Sequence, residues 1–92
     1  MDDFKIIITV SGNDKVGIVA SIANILAKYK VNIEDIKQTL MQGHFVMFML
    51  CSIESSKHSF KEIKEGLVGL SDELGMEIWV QKKEIFDNMH KM

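Results

Sequence analysis

The spacing of apolar residues switches between strand and helix periods along the chain, and each switch marks an element. Phe4, Ile6, Ile8 and Val10 alternate through a β-branched run over residues 4–11, the pattern of a strand with one buried face. Gly12-Asn13-Asp14 breaks that run. From Val16 to Tyr29, the positions Ile18, Val19, Ile22, Ile25, Leu26 and Tyr29 form one helical stripe, with Asp14 as the expected N-cap. Residues 31–41 and 44–53 are extended segments flanking Gln42-Gly43, a two-residue hairpin turn. Phe60, Ile63, Leu67, Leu70 and Leu74 recur at steps of 3, 4, 3 and 4, which predicts a single amphipathic helix. Ser59 and Glu62 have capping-box spacing, and Gly75 is its expected stop. Gly66 and Gly69 each cost such a helix about 1 kcal/mol, so tertiary packing must hold it. Met76, Ile78 and Val80 then alternate inward against Glu77, Trp79 and Gln81. Ile85, Phe86 and Met89 line one side of a short amphipathic extension over residues 84–92.

The predicted order is β-α-β-β-α-β with a short C-terminal helix, all within a single domain spanning residues 1–92. Two βαβ halves around a hairpin predict a ferredoxin-like α+β sandwich: a four-stranded antiparallel sheet with both helices on one face. Right-handed crossovers put the first and third strands in the centre. The third strand is apolar on both faces from Phe45 to Cys51. Its second face therefore needs cover from the C-terminal segment or from a second subunit.

Composition narrows the function. All 11 basic residues are Lys and the formal net charge is −2, which argues against a nucleic-acid surface built on a basic stripe. Cys51 is the only cysteine, so neither an intramolecular disulfide nor a multi-cysteine zinc site can form. The acidic start Met1-Asp2-Asp3 is unlike a signal peptide, and no apolar run has the length of a membrane span. The expectation is a reduced, cytoplasmic domain with no nucleic-acid or membrane partner, no cofactor and no metal. An acylphosphatase-type site would need an Arg, and a heavy-metal chaperone a Cys pair in the first loop; both are missing. For an RNA-binding face, Phe4 and Phe45 are too few aromatics. His44, His58 and His90 lack ligand spacing and are expected at the surface, Cys51 in the core, and Glu34 and Asp35 on opposite strand faces.

The first strand-to-helix turn, Ser11 to Val19, is what remains. Gly17 falls where the helix begins, a position at which the absence of a side chain lets a ligand approach free N–H groups. Gly17 equally suits a helix packed closely on its sheet, and position alone leaves both readings open.

At this turn the chain resembles the ACT domain family, through Asn13-Asp14-Lys15-Val16-Gly17-Ile18-Val19 and Val31-Asn32-Ile33-Glu34-Asp35-Ile36. Gln38 to Phe45 and Glu84 to His90 further resemble a group of short, stand-alone bacterial and archaeal ACT proteins. The resemblance implies a regulatory rather than catalytic module that forms a homodimer, often by extending its sheet side by side. It also implies an amino acid or similar small metabolite bound between the first turn of one subunit and the start of the partner's second strand. Carried onto this sequence, the ligand-binding residues are Asn13, Asp14, Gly17 and Ile18 on one side, with Asn32 and Ile33 on the other. Free N–H groups near Gly17 would take a carboxylate, and Asp14 or Asn32 an ammonium. Alternatively, Asp14 only caps the helix and Asn32 only shapes a turn, leaving a ligand-free interaction module that acts on a separate protein partner. An enzyme reading requires Cys51 or His44 to lie in a pocket.

Overall fold

The structure is a computed structural model, and it describes residues 4–13 and 17–89. The elements are β1 (Lys5–Asn13), α1 (Ile18–Lys28), β2 (Asn32–Met41), β3 (His44–Ser52), α2 (Phe60–Val68), α3 (Leu70–Leu74), β4 (Glu77–Lys82) and α4 (Lys83–Met89). The sheet is antiparallel in the order β2-β3-β1-β4, so the first and third strands are central, as expected. Ile6, Ile8 and Val10 of β1, Met47, Met49 and Cys51 of β3, and Ile78 and Val80 of β4 point to the helix side. They meet Ile18, Ile22 and Leu26 of α1 and Ile63 and Leu67 of α2 in one continuous core. At roughly 1.5–3 kcal/mol for each large aliphatic side chain buried, this seam holds the two layers together.

Among the described residues, the two turns with left-handed non-glycine residues follow from chain geometry. Gln42 and Gly43 have φ of 50° and 83°, the pair of positive values that a two-residue hairpin needs to match strand twist. At the end of α1, Lys30 takes φ 59° while its N–H bonds to Ala27 O (3.0 Å) and the Val31 N–H to Leu26 O (2.9 Å). That is a Schellman closure with Lys where Gly is usual, and buried Val31 anchors it.

Three expectations need correction. The N-cap position of α1 falls on Gly17, with no side-chain cap, and the helix begins at Ile18 rather than Val16. Asp14 is therefore not the residue at that position; it lies outside the described residues. The helix expected over 60–74 is two helices, separated at Gly69. Glycine lacks the propensity to hold the turn there, although Leu70 and Leu74 pack on the same core as Ile63 and Leu67. Finally, Phe4 precedes β1 and is exposed. The Ser59–Glu62 capping box is present, with Glu62 N–H to Ser59 Oγ at 3.2 Å and Ser59 N–H to Glu62 Oε1 at 2.9 Å. The Ser59 N–H holds the Glu62 carboxyl below its ordinary range, with His58 assisting. Gly75 ends α3 at φ 67°, as expected of a stop.

Gly66 is tolerated in α2 because of a contact with α1. A Cβ at Gly66 would lie 2.5 Å from Tyr29 Oη and 2.7 Å from Tyr29 Cε2. The ring has little freedom to retreat, because His58 stands edge-on to it at 4.8 Å. Gly66→Ala should thus lower stability in urea denaturation by about 1–3 kcal/mol, the usual cost of overpacking, despite its gain in helix propensity. A more stable Gly66→Ala protein would mean that the helix pair closes differently.

Candidate functional site

Two regions bear on the expectations from sequence, the end of the sheet at the β1–α1 turn and the sheet face opposite the helices; a further depression of about 410 Å³ lies between α1 and α3. The turn leaves β1 at Asn13, which pairs with His44 next to the hairpin. Gly17 has φ 87°, and a Cβ there would meet nothing within 4 Å. Gly17 is therefore not a packing glycine; it is exposed and held by its backbone angle, with open space beside it. Ile18, in contrast, buries its side chain in the core and offers the turn only its main chain.

The second half of the expected site lies elsewhere. Asn32 pairs with Ser52 and Met41 with His44, so Asn32 and Asn13 stand at opposite ends of the sheet. They are eight steps apart along β3, roughly 27 Å at 3.4 Å per residue. One chain does not bring the predicted residues together. Asn32 is exposed, while Ile33 is half-buried and packs against the core from the helix side.

β2 is an edge strand of ten residues, nine of them exposed. Leu40 (58% exposed) and Met41 (67%) carry apolar side chains on this unpaired edge beyond the reach of α1. A bulge between Ile33 and Asp35 interrupts the alternation expected of Glu34 and Asp35, and the Glu34 carboxylate pairs with the Lys5 ammonium across the sheet. Glu34 and Asp35 do not form a carboxylate pair for acid–base work: Asp35 Oδ1 accepts from the Ile36 N–H at 2.9 Å.

The face opposite the helices carries aromatics that sequence reasoning did not assemble. Phe48 from β3, Trp79 from β4 and Phe86 from α4 border a depression of about 800 Å³ that runs from Thr9 and Val46 round the β4 edge to Lys64, Val68 and Ser71 of the helix layer. Phe48 and Phe86 meet edge to face at 6.2 Å. Phe45, singled out from the sequence, is buried on the other side. The period-2 alternation through Val46, Phe48 and Leu50, read together with outward Trp79, was the available signal.

The two groups on which catalysis would have rested have other roles. His44 stands at the hairpin with Nε2 3.1 Å from Ser11 Oγ, exposed. Cys51 is wholly inside the core, and burial, with a smaller contribution from the Glu34 carboxylate, pushes its thiol up to about 12. His90 lies outside the described residues. Among the described residues no group of three or more His, Cys, Asp and Glu could hold a metal ion, and no helix is long and apolar enough to cross a membrane.

A helical layer on a four-stranded antiparallel sheet in the order β2-β3-β1-β4 defines a ferredoxin-like α+β fold. The chain belongs to the ACT domain family, whose profile matches residues 5–81, and ACT domains are regulatory modules that bind small ligands. It is 44% identical over 88 residues to a UPF0237 protein of Listeria innocua, covering 96% of this chain and 99% of that one. A UPF0237 protein of the archaeon Methanocaldococcus jannaschii is 40% identical over 88 residues, with 96% and 98% covered. Among solved structures, an ACT domain protein from Streptococcus pneumoniae superposes with a TM-score of 0.78 at 34% identity, over 91% of this chain and 94% of that one. The regulatory subunit of aspartate kinase from Thermus thermophilus has the same fold, with a TM-score of 0.67 at 22% identity over 88% of this chain and 52% of that one.

The Cys51 thiol holds its proton more tightly in the folded chain than in the unfolded one. It therefore contributes stability below its ordinary value of 9.0, and loses it as the pH rises toward about 12. Relative to Cys51→Val, the wild-type protein should lose up to about 1.4 kcal/mol of unfolding free energy per pH unit above 9, measured by urea denaturation. Native Cys51 should also resist a thiol-specific disulfide reagent at pH 8 and react fully once unfolded. Rapid labelling of the folded protein would contradict this burial.

Proposed function

We propose that this chain is a cytoplasmic regulatory module that binds an amino acid, or a similarly small zwitterion, at a homodimer interface formed along β2. One relationship within the sheet carries the reading. The glycine turn and the start of β2 are at opposite ends of one chain, so neither can complete the other. Pairing β2 antiparallel with the β2 of a second copy reverses the partner's strand. The partner's Asn32 and Ile33 then arrive at the Met41 end of the joined sheet, the end from which Asn13 and Gly17 emerge. The exposed apolar side chains of Leu40 and Met41 support the same contact, because apolar side chains on an unpaired edge are a liability in an isolated chain.

The chemistry suits a zwitterion. Main-chain N–H groups at the start of α1 lack intrahelical partners, and with the positive end of the helix dipole they attract a carboxylate. The partner's Asn32 amide oxygen would accept from the ammonium. Two open ends, each contributed by a different copy, let ligand binding and assembly reinforce one another, and that differential is what a regulator requires.

Thermal unfolding against a panel of amino acids at millimolar concentration tests the reading. A ligand at about 100 times its Kd adds roughly 2.7 kcal/mol of stability, and for a domain of this size raises Tm by on the order of 10 °C. The expected result is a clear rise with one chemical class of amino acid, lost in Asn32→Leu, whose exposed position leaves the fold intact. An unchanged Tm across the panel would overturn the amino-acid reading in favour of a ligand-free module that acts through a protein partner.

A further inference from the structure

β4 (Glu77–Lys82) is the other margin of the sheet, and among the described residues no strand pairs with its outer side. The depression of about 800 Å³ straddles that edge rather than sitting on one face. Trp79, 56% exposed, borders it on the side away from the helices, and Val68, 41% exposed, borders it on the helix side. Charge along the same edge is uneven. Lys82 Nζ lies 5.5 Å and Lys64 Nζ 6.0 Å from the centroid of the Phe60 ring, so ammoniums from β4 and from α2 converge on one aromatic side chain. Neither has a carboxylate partner among the described residues. Lys64 is the one charged side chain, among the described residues, that borders the depression on the helix side.

We propose that the β4 edge receives an extended segment of a separate protein, acidic on one face, added to the sheet as a fifth strand. An added strand sends successive side chains to opposite faces, and this edge offers an apolar contact on each: Val68 on the helix side and Trp79 on the other. Main-chain hydrogen bonds supply affinity in such a mode, and the side chains flanking the edge supply the choice of partner. A carboxylate on the helix-facing side of the incoming strand would meet Lys64 and Lys82, forming charge-assisted hydrogen bonds that neither ammonium makes within the described residues. A second copy fits this edge poorly. Two β4 strands paired about a twofold axis normal to the sheet keep their helices on one side, which brings Lys64 and Lys82 of both copies to the same joint. Like charges facing one another across strands are destabilising. The strand is also short and charged at both ends, features that guard an edge against its own kind and leave it open to a partner bringing the opposite charge. This edge lies across the sheet from β2, so the proposal does not require the β2 reading.

The test titrates the wild-type protein, as it assembles in solution, with end-blocked peptides of about ten residues, long enough to span β4. The peptides alternate Val and Thr, with two neighbouring Thr positions changed to Glu, Gln or Lys. Anisotropy of dye-labelled peptides ranks the affinities, and amide hydrogen exchange with unlabelled peptide locates the contact. The Glu peptide is expected to bind about tenfold more tightly than the Gln peptide, with the Lys peptide weakest. It should slow exchange of alternate amides along β4 and shift the emission of Trp79, the sole tryptophan, to the blue. The double variant Lys64→Glu/Lys82→Glu, at two exposed positions, should invert the order so that the Lys peptide binds best. That inversion is a gain of binding, which a misfolded variant does not produce. No binding by any of the three peptides, equal affinities, an order unchanged in the double variant, or protection confined to β2 would each overturn the proposal.

Discussion

β1 has to satisfy neighbours on all four sides at once. Its edges pair with β3 and β4, and its residues Ile6 to Val10 are buried without interruption. Ile6, Ile8 and Val10 lie under α1 and α2, while Ile7 and Thr9 lie under α4. A strand buried on both faces normally belongs to a sheet with a helical layer on each side. Among the described residues the second layer is a single helix of seven residues, whose Phe86 reaches Phe48 while Trp79 stays largely exposed. The same shortage recurs at β2, where α1 covers the beginning of the strand and leaves Leu40 and Met41 bare. Both unprotected surfaces follow from setting too few helices on a sheet whose centre demands two covered faces.

Much of this was legible from periodicity. Strands with strict alternation, such as β4, and helices with a full stripe and a cap, such as α2, declare themselves because burial of one face dominates their energetics. The break at Gly69 was less accessible: the heptad-like spacing from Phe60 to Leu74 continues through it, and the spacing does not say whether packing will outweigh two glycines. The bulge at Glu34 left no pattern because it depends on the β3 partner, and it undid the expected alternation of Glu34 and Asp35. At the candidate site, the open space around Gly17 emerged only in three dimensions. So did the distance between Asn13 and Asn32, which strand register sets at opposite ends of one chain's sheet.

The turn and the edge strand acquire meaning as a pair. A helix start with free N–H groups is commonplace, and so is an exposed edge; either alone is weak ground for a site. In the proposed dimer, antiparallel association of the two edges would convert them into one locus, with two such loci related by the twofold axis. Cys51 is buried with its thiol pushed up to about 12, and His44 lies exposed at the hairpin beside Ser11. A ligand bridging two copies would contribute to assembly energy directly, and a modest Kd would then suffice to shift the population.

The central claim is that each site is shared between two chains, and subunit complementation measures that most directly. Gly17→Leu damages the turn half of every site, and Asn32→Leu damages the strand half. Each variant alone should bind no amino acid by titration calorimetry. Unfolded together and refolded at equal amounts, they form heterodimers in which one of two sites pairs an intact turn with an intact strand. The account predicts that the mixture recovers about a quarter of the wild-type binding stoichiometry at wild-type affinity, the share expected from random pairing in a twofold dimer. A mixture that binds no better than either variant alone, beside a wild type that binds, would contradict a site built across the β2 edge.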